Sequence, residues 1–380
     1  MLNFTRENKG NFASWARNVD KTIILMIFIF FLLGLFFSFS STSSMLAEKL
    51  NTKSYHFFIK HLVFVIIGFS FIFYISLQNK ELIKNYFPTF FFITLILLLL
   101  VPFFGSEVKG SKRWLEIFFL PRFQPIEIVK PFFVLIIAKV LSSETMSNSY
   151  KKYFNTIILL SLVLILLVIQ PDLGQSILIF LTWLIMIFSS GINLLILTIF
   201  FMVALILVAS LLLIFPNKFG YIILRLKTFI DPSQGNNYQS EKALESIING
   251  GFFGKGIGEG VLKERVPEAH TDYIIAVISE EYGAILILGL IFLFLFLTFV
   301  ILKKLLYEKD EFIKLTLIGL ISLILIQAFI HVGVNIRMFP TTGMTLPFIS
   351  YGGSSIVGTS LIAGIVINLT KRDTNTSNLM

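Results

Sequence analysis

Cysteine is absent from the 380 residues, which excludes disulfide bonds and thiol chemistry on either side of a membrane. Charge is also scarce, because only 14% of the residues are Asp, Glu, Lys or Arg, whereas 56% are hydrophobic. A water-soluble chain of this length needs far more polar surface, so the composition predicts a polytopic membrane protein. Phe is abundant at 43 residues, which we interpret as lipid-facing packing.

Several chemical signatures are missing as well. The glycine-rich stretch NGGFFGKGIGEG (249–260) lacks the Gly-x-x-x-x-Gly-Lys-Ser/Thr pattern of a phosphate loop, so we interpret it as a flexible turn region with weak anion-binding potential. No metal-site spacing, serine-centred nucleophile motif, internal repeat or soluble domain is evident. The sequence requires no cofactor and leaves a divalent cation, Mg²⁺ or Mn²⁺, open. The net charge of +9 indicates membrane topology and anionic headgroups, with no nucleic acid as partner.

Apolar runs of spanning length occur ten times along the chain. They lie at about 22–42, 57–77, 86–104, 125–141, 153–170, 173–190, 193–215, 274–302, 312–335 and 350–369. This pattern predicts an all-α polytopic membrane protein with ten transmembrane helices and a long extracytoplasmic loop at 216–273, between helices 7 and 8. We expect a cytoplasmic N-terminal segment (1–21), a membrane domain (22–370) and a cytoplasmic tail (371–380).

Basic residues in the short loops predict the orientation in the cytoplasmic (inner) membrane. The loops on the N-terminal side hold Lys80, Lys84, Lys151, Lys152, Lys303, Lys304 and Lys309, and the tail adds Lys371 and Arg372. Short cytoplasmic loops are enriched in Lys and Arg, so both termini are predicted to be cytoplasmic. The first apolar run is too long for a signal peptide and lacks an evident small-residue cleavage site, so it is interpreted as an anchor.

The stretch VPEAHTDYIIAVISEEYG (266–283) places three acids around one apolar run. Asp272, at the mouth of the run, has two interpretations: an N-cap of the helix, shared with Thr271, or a general base acting on a hydroxyl group. His270 beside it has three interpretations: a structural role, donation to that carboxylate, or contact with phosphate. Glu280 and Glu281 are interpreted as a structural polar lock.

The partner predicted for this lock is a polar stripe on the ninth helix. Gln327, His331 and Asn335 recur every four residues and therefore share one helix face.

Further polar groups cluster on the predicted outer side. The loop 105–124 is short yet holds several basic residues beside Trp114, and Gln124, Glu127 and Lys130 follow at the start of the fourth helix, where Glu127 and Lys130 either neutralise each other or line a cavity. The segment TTGMTLPFISYGGSS (341–355) combines small residues with proline, which predicts a re-entrant or kinked segment.

The polar and basic groups on the outer side suit an amphipathic anion such as a lipid-linked pyrophosphate sugar. The candidate substrate-binding residues are Lys109, Lys112, Arg113, Trp114, Gln124, Glu127, Lys130, Arg225, His270, Thr271 and Ser350.

Five segments resemble the signatures of the SEDS family (shape, elongation, division and sporulation proteins). They are KGSKRWL (109–115), FQPIEIVK (123–130), QPDLGQS (170–176), PEAHTDYIIAVISEEYG (267–283) and LPFISYGGSS (346–355). The resemblance implies a ten-helix peptidoglycan glycosyltransferase that polymerises lipid II at the outer face of the membrane. It also implies a class B penicillin-binding transpeptidase and other divisome membrane proteins as partners.

The resemblance also assigns residues and a subtype. The family's essential acid corresponds to Asp272 and its essential tryptophan to Trp114. PEAHTD and GMTLPFISYGGSS resemble the division-type members, active at the septum, more than the elongation-type members. One departure is Thr342, where many division-type members have Lys, so another basic residue replaces that cation or the cation is not essential.

The implied reaction is an inverting displacement in which Asp272 deprotonates the acceptor hydroxyl and undecaprenyl pyrophosphate leaves. Lys112 and Arg113, with Arg225 or Lys227, would stabilise the leaving group. An elongation-type polymerase, a lipid II flippase and a purely structural scaffold are the alternatives. A flippase needs polar residues along both halves of its path, whereas here they crowd toward the outer side.

Overall fold

The computed structural model describes residues 11–41, 56–108, 111–116, 121–143, 149–214, 216–231 and 237–372. The described chain is mainly helical. Its helices are α1 (Asn11–Asn18), α2 (Lys21–Ser41), α3 (His56–Leu77), α4 (Lys80–Asn85), α5 (Phe90–Phe104), α6 (Pro125–Leu141), α7 (Ser149–Ile169), α8 (Leu173–Ser189), α9 (Leu194–Ile214), α10 (Pro216–Ile230), α11 (Tyr238–Gly250), α12 (Ile274–Tyr282), α13 (Ala284–Leu305), α14 (Glu311–Asn335) and α15 (Gly353–Leu369). Strands β1 (Gly105–Val108) and β2 (Ser111–Leu115) form an antiparallel hairpin after α5.

Six helical segments of the described chain are long and apolar enough to cross a membrane. They are Lys21–Ser41, His56–Leu77, Lys80–Phe104, Tyr150–Ile169, Ala284–Leu305 and Glu311–Asn335. Shorter apolar helices cover Leu173–Ser189, Leu194–Val203 and Gly353–Leu369. The prediction of an all-α polytopic membrane protein is confirmed, while the count of ten spans remains a prediction.

The predicted eighth span is broken at Gly283. This glycine has φ = 82°, and a Cβ added to it would lie 2.2 Å from the backbone oxygen of Phe252. Only glycine combines that dihedral with so close an approach. Helix α13 has 22 residues after the break and is long and apolar enough to span the membrane by itself. The single helix predicted over 274–302 is therefore wrong, because hydropathy alone does not register the turn between α12 and α13.

The core of the bundle is built around α14 and α15. Nearly all of α15 is buried, and it packs against α3 and α6. Small residues allow these approaches, since a Cβ on Gly68 would lie 2.3 Å from the Ser360 hydroxyl and one on Gly358 would lie 2.5 Å from the Glu127 backbone oxygen. Helix α13, in contrast, exposes one face of large apolar side chains such as Leu288 and Phe292.

Basic residues gather at the end of the bundle where α5 begins, which we call the basic end. Lys84 pairs with Asp310, and Lys304 pairs with Asp20 over 2.6 Å. The Lys371 ammonium donates to the backbone oxygen of Ser76 over 2.7 Å. The opposite end carries the β1–β2 hairpin and is called the hairpin end.

The segment between α9 and α12 is folded back onto the bundle rather than extended as a loop. It contains α10, α11 and a short 3-10 helix at Leu262–Arg265. The predicted flexible turn region 249–260 is an ordered wrap around α12 and the start of α13. The backbone N–H groups of Lys255 and Ala284 donate to the oxygens of Glu280 over 2.8 Å and Gly251 over 2.9 Å, respectively.

Candidate functional site

A cavity of about 400 Å³ lies at the hairpin end, between the hairpin, α10, the turn before α12 and the segment before α15. Many predicted site residues line it, namely Arg113, Trp114, Gln124, Glu127, Arg225, His270, Thr271 and Asp272. The structure therefore brings together residues that are separated by up to 159 positions in the sequence, from Arg113 to Asp272. Lys109 lies outside the described residues.

Asp272 stands at the cavity wall, just before α12. The N-cap of α12 is Tyr273, one position later than the capping interpretation of Asp272 requires. The side-chain amide of Asn335, on α14, donates to the Asp272 backbone oxygen over 3.1 Å. Gly343 has φ = 72°, and a Cβ there would lie 3.5 Å from Asp272 Oδ2, so the chain opposite the carboxylate is backbone without a side chain. This placement suits a general base.

The backbone on either side of Asp272 is held by the segment before α15. The Ser350 hydroxyl donates to the Thr271 backbone oxygen over 2.7 Å, and the Tyr351 N–H donates to the His270 oxygen over 3.0 Å. Ser350 is buried and also accepts from the N–H of Leu346, so its prediction as a substrate contact is wrong: it is a support for the turn. The irregular, largely buried path of 340–352 matches the predicted kinked segment.

Aromatic rings surround the same turn. The His270 ring lies 4.4 Å from the ring of Phe57 and 5.8 Å from that of Tyr351, between centroids. Burial raises the pKa of the Tyr351 phenol, so this group is a neutral donor at the cavity wall. Burial and then the neighbouring charge of Asp272 raise the pKa of Tyr273. His270, which lines the cavity, thus lies between the tilted rings of Phe57 and Tyr351.

The hairpin places Trp114 and Arg113 through a bulge. Ser106 pairs with Trp114 and Glu107 with Lys112, so Arg113 is the extra residue of β2. A bulge redirects the side chain of its extra residue. The Arg113 guanidinium accordingly turns inward, donates to the Gln170 backbone oxygen over 3.3 Å and lines the cavity. Lys112 is exposed and does not line the cavity, because the strand alternation points it away, so its contact with substrate stays a prediction.

Asp172 organises one wall of the site, a role that the sequence reasoning missed. It N-caps α8 by accepting from the Gln175 N–H over 3.4 Å, accepts from the Gln124 amide over 3.0 Å and lies 3.7 Å from the Arg113 guanidinium. The signal was present, because Gln170, Asp172 and Gln175 crowd one short turn between two apolar runs. The sequence of this turn does not indicate that it contacts Gln124 and Arg113.

A buried ion pair lies beneath the cavity. Lys130 pairs with Glu127 over 2.8 Å and donates to the Gln327 amide oxygen over 2.9 Å, while the Gln175 amide donates to Glu127 over 2.7 Å. Lys130 is 1% exposed and does not line the cavity. The prediction that it contacts substrate is wrong: its ammonium neutralises Glu127, which does line the cavity. The Gln327 amide N–H in turn donates to the Thr345 backbone oxygen over 2.9 Å.

The predicted polar lock has the wrong partner for its glutamates. Glu280 accepts from the Asn249 amide over 3.0 Å, from the Leu262 N–H over 2.9 Å and from the Lys263 N–H over 2.5 Å. Glu281 forms a buried ion pair with Lys263. We call these contacts the glutamate clasp; they fasten the segment 249–263 to α12. The segment 249–263 supplies the nearest donors because it wraps around the C-terminal half of α12.

The predicted stripe on α14 faces a different element. His331 Nδ1 donates to the Met344 backbone oxygen over 2.7 Å, and Asn335 bonds to Asp272 as described. Gln327, His331 and Asn335 are buried and share one face, as predicted, but they hold the segment before α15 and the turn at Asp272.

Further residues line the cavity that the sequence reasoning did not assign. They are Ser111, Gln175, Gln239, Glu268, Thr342, Thr345, Tyr351, Ser354 and Ser355, among others. Within the described ranges, no group of three or more His, Asp or Glu side chains is placed to hold a metal ion. Positive charge at the cavity comes instead from the guanidinium groups of Arg113 and Arg225.

These features define a class: a multi-pass helical membrane protein with a polar cavity at one end of the bundle, where a carboxylate and two arginines meet. The chain belongs to the FtsW/RodA/SpoVE family, since the model of that family, described as cell cycle protein, matches residues 20–375.

Similar proteins cover nearly the whole chain. It is 30% identical to the probable peptidoglycan glycosyltransferase FtsW of Caulobacter vibrioides, over 97% of this chain and 93% of the relative, and 31% identical to that of Coxiella burnetii, over 95% and 98%. The fold resembles Thermus thermophilus rod shape determining protein RodA with a TM-score of 0.68 at 22% identity, covering 93% and 96% of the two chains. It also resembles a chain of a peptidoglycan synthase complex with a TM-score of 0.76 at 23% identity, covering 93% and 97%.

Proposed function

We propose that this protein is an inverting peptidoglycan glycosyltransferase that polymerises lipid II into glycan strands. The observation that carries the proposal is the meeting of Asp272, Trp114, Arg113 and Arg225 around one cavity. Transfer of a sugar from a pyrophosphate leaving group needs a general base for the acceptor hydroxyl and cationic groups for the pyrophosphate. A carboxylate beside arginines supplies both. The names of the FtsW relatives, probable peptidoglycan glycosyltransferases, support the same activity.

In the proposed reaction, Asp272 accepts the proton of the acceptor sugar's hydroxyl group. The hydroxyl oxygen forms a bond to the anomeric carbon of the donor chain, while the bond from that carbon to the pyrophosphate oxygen breaks and its electron pair leaves on undecaprenyl pyrophosphate. One displacement converts an α-linked donor into a β-linkage, so no glycosyl–enzyme intermediate is required. Arg225 and Arg113 stabilise the charge that develops on the pyrophosphate. Trp114 offers an aromatic face to the substrate.

We further propose that the hairpin end faces the outside of the cytoplasmic membrane. The gathering of Lys84, Lys304 and Lys371 at the basic end supports a cytoplasmic location of that end and of both termini. The similarity to FtsW proteins favours work at the division septum with other divisome membrane proteins. A class B penicillin-binding transpeptidase is the proposed partner, which agrees with the fold's similarity to a chain of a peptidoglycan synthase complex.

The decisive experiment is polymerisation of purified lipid II by the full-length protein in liposomes, with and without the transpeptidase partner. Asp272→Asn removes the base while keeping the size of the side chain. We expect the rate of glycan formation to fall by about 100- to 10,000-fold, the range that general bases contribute. Glu259→Gln is the matched control, because this exposed acid belongs to the same segment and lies outside the cavity.

Full activity of the Asp272→Asn protein would overturn the proposal. Thermal melting and size-exclusion chromatography establish that both variants are folded. The same liposomes also report lipid II orientation across the bilayer, and transfer of lipid II that persists in Asp272→Asn would favour a flippase.

A further inference from the structure

A second, smaller pocket of about 210 Å³ lies beside the candidate active site. It is enclosed by α10, the start of α11 and the irregular segment after α14. Its polar lining consists of Arg225, Arg337, Thr228, Asn237, Ser240 and Thr341. No Asp or Glu is among its lining residues, whereas the larger cavity is lined by Asp272, Glu127 and Glu268. The smaller pocket is therefore the electropositive one.

Arg337 directly follows the C-cap of α14 and lines this pocket. Its φ is 57°, in the left-handed region that disfavours residues with a long side chain. This conformation completes a Schellman motif at the end of α14, because the N–H of Met338 donates to the Gly333 oxygen over 2.7 Å and that of Arg337 to the Val334 oxygen over 3.1 Å. The side chain is only partly exposed and makes no hydrogen bond or ion pair with the residues that the structure describes. A partly buried guanidinium without an acceptor among these residues is a favourable partner for an anion.

Arg225 connects the pocket with the active site. It lines both the pocket and the larger cavity, and its Nη1 donates to the Thr341 backbone oxygen over 3.1 Å. Thr341 also lines both spaces. An anion held between Arg337 and Arg225 is therefore a close neighbour of the space in front of Asp272.

We infer that this pocket binds a diphosphate group, and that Arg337 and Arg225 hold it from two sides. The guanidinium fork matches phosphate oxygens in bidentate geometry, and the hydroxyl group of Thr228 provides an additional donor. The inference rests on the proposed function in naming the source of the group, which is the pyrophosphate of the lipid-linked substrate or product. A phosphate of a membrane phospholipid has the same recognition chemistry and is the competing source.

The test measures binding of inorganic pyrophosphate to the full-length protein in nanodiscs of zwitterionic lipid, by isothermal titration calorimetry. Arg337→Gly removes the guanidinium and suits the positive φ, so it separates binding from folding. We expect affinity to fall about tenfold or more, as for the loss of a charge-assisted contact, with a melting temperature equal to or above that of the wild type. Arg265→Gln is the control, since it removes one exposed charge of the same outer segment outside the pocket and should leave the affinity unchanged.

Equal pyrophosphate affinity in Arg337→Gly and the wild type, or an equal loss in Arg265→Gln, overturns the inference. Nanodiscs containing phosphatidylglycerol form the second arm: if this lipid abolishes the Arg337-dependent binding, the occupant is a phospholipid headgroup and the substrate assignment is overturned. Because binding is read without turnover, and also in the Asp272→Asn background, failure of the pocket is distinguishable from failure of the glycosyltransferase proposal.

Discussion

The side-chain amide of Asn335 donates one hydrogen bond to the backbone oxygen of Asp272 over 3.1 Å and another to the backbone oxygen of His331 over 2.8 Å. A fully buried residue of α14 thus fixes the backbone from which the candidate base projects. General-base catalysis depends on hydrogen-bond geometry, so this contact is a positioning device for the proposed reaction.

Replacing Asn335 by Leu should therefore lower the polymerisation rate by more than the accompanying loss of folded protein accounts for. The partly buried backbone oxygen of Asp272 loses its donor, which corresponds to about 1–3 kcal/mol of unfolding free energy. The rate of glycan formation at saturating lipid II and the melting temperature should be measured together. Thr298→Val is the control, because the Thr298 hydroxyl bonds only to the Phe294 oxygen within α13. Unchanged turnover in Asn335→Leu would contradict a positioning role.

The glutamate clasp should be sensitive to the loss of its cation. Lys263→Met leaves Glu281 buried without its ion-pair partner, which typically destabilises a protein by about 3–5 kcal/mol. Lys255→Met removes an exposed cation of the same segment and should change the melting temperature little. Adding Glu281→Gln to Lys263→Met should recover part of the loss, and a double variant no better than the single one would show that the pair is not coupled.

The ion pair beneath the cavity gives a parallel prediction. Lys130→Met should destabilise by about 3–5 kcal/mol because it strands the buried Glu127 carboxylate. Combining it with Glu127→Leu should restore most of the melting temperature while activity stays low, since Glu127 lines the cavity. Recovery of activity in the double variant would mean that this carboxylate has no role at the site.

Two glycines of the broken eighth run should respond oppositely to alanine. At Gly283 a methyl group meets the Phe252 backbone and a positive φ, so Gly283→Ala should destabilise by about 1–3 kcal/mol or more. At Gly289, in the middle of α13, a Cβ meets nothing within 4 Å, so Gly289→Ala should be neutral or stabilising by up to about 1 kcal/mol. Melting in detergent measures both. Equal effects would argue that α12 and α13 are one helix.

The sequence predicts the secondary-structure elements better than the tertiary contacts between them. Hydropathy located the spans because a helix must satisfy its own backbone in lipid. Hydropathy does not detect the helix break at Gly283, because a turn made by one glycine leaves the run of apolar residues intact. Helical spacing correctly placed Gln327, His331 and Asn335 on one face. It does not reveal which element that face contacts, and Glu280 and Glu281 bond to the segment 249–263 rather than to this stripe.

The candidate site likewise depends on tertiary structure that the sequence does not show. Basic charge near Trp114 and a carboxylate at Asp272 were visible as residue types, and the family resemblance singled out both. The bulge that separates inward Arg113 from outward Lys112 is a property of strand register. Arg337 gave no sequence signal, because its backbone conformation and its position beside Arg225 exist only in the fold.

The turn at Gly283 also determines what the membrane must accept during biosynthesis. Without it, a segment carrying Glu280 and Glu281 would have to partition into lipid, where each central acid costs roughly 2.5–3.5 kcal/mol. With it, the inserting segment is α13, which carries no acid and has Lys303 and Lys304 at its end. Lys263 precedes Glu281 by 18 residues, which a ribosome adds in about one to four seconds. The cation and amide donors are thus already synthesised when the two carboxylates appear, so the acids can be enclosed by protein without first residing in lipid.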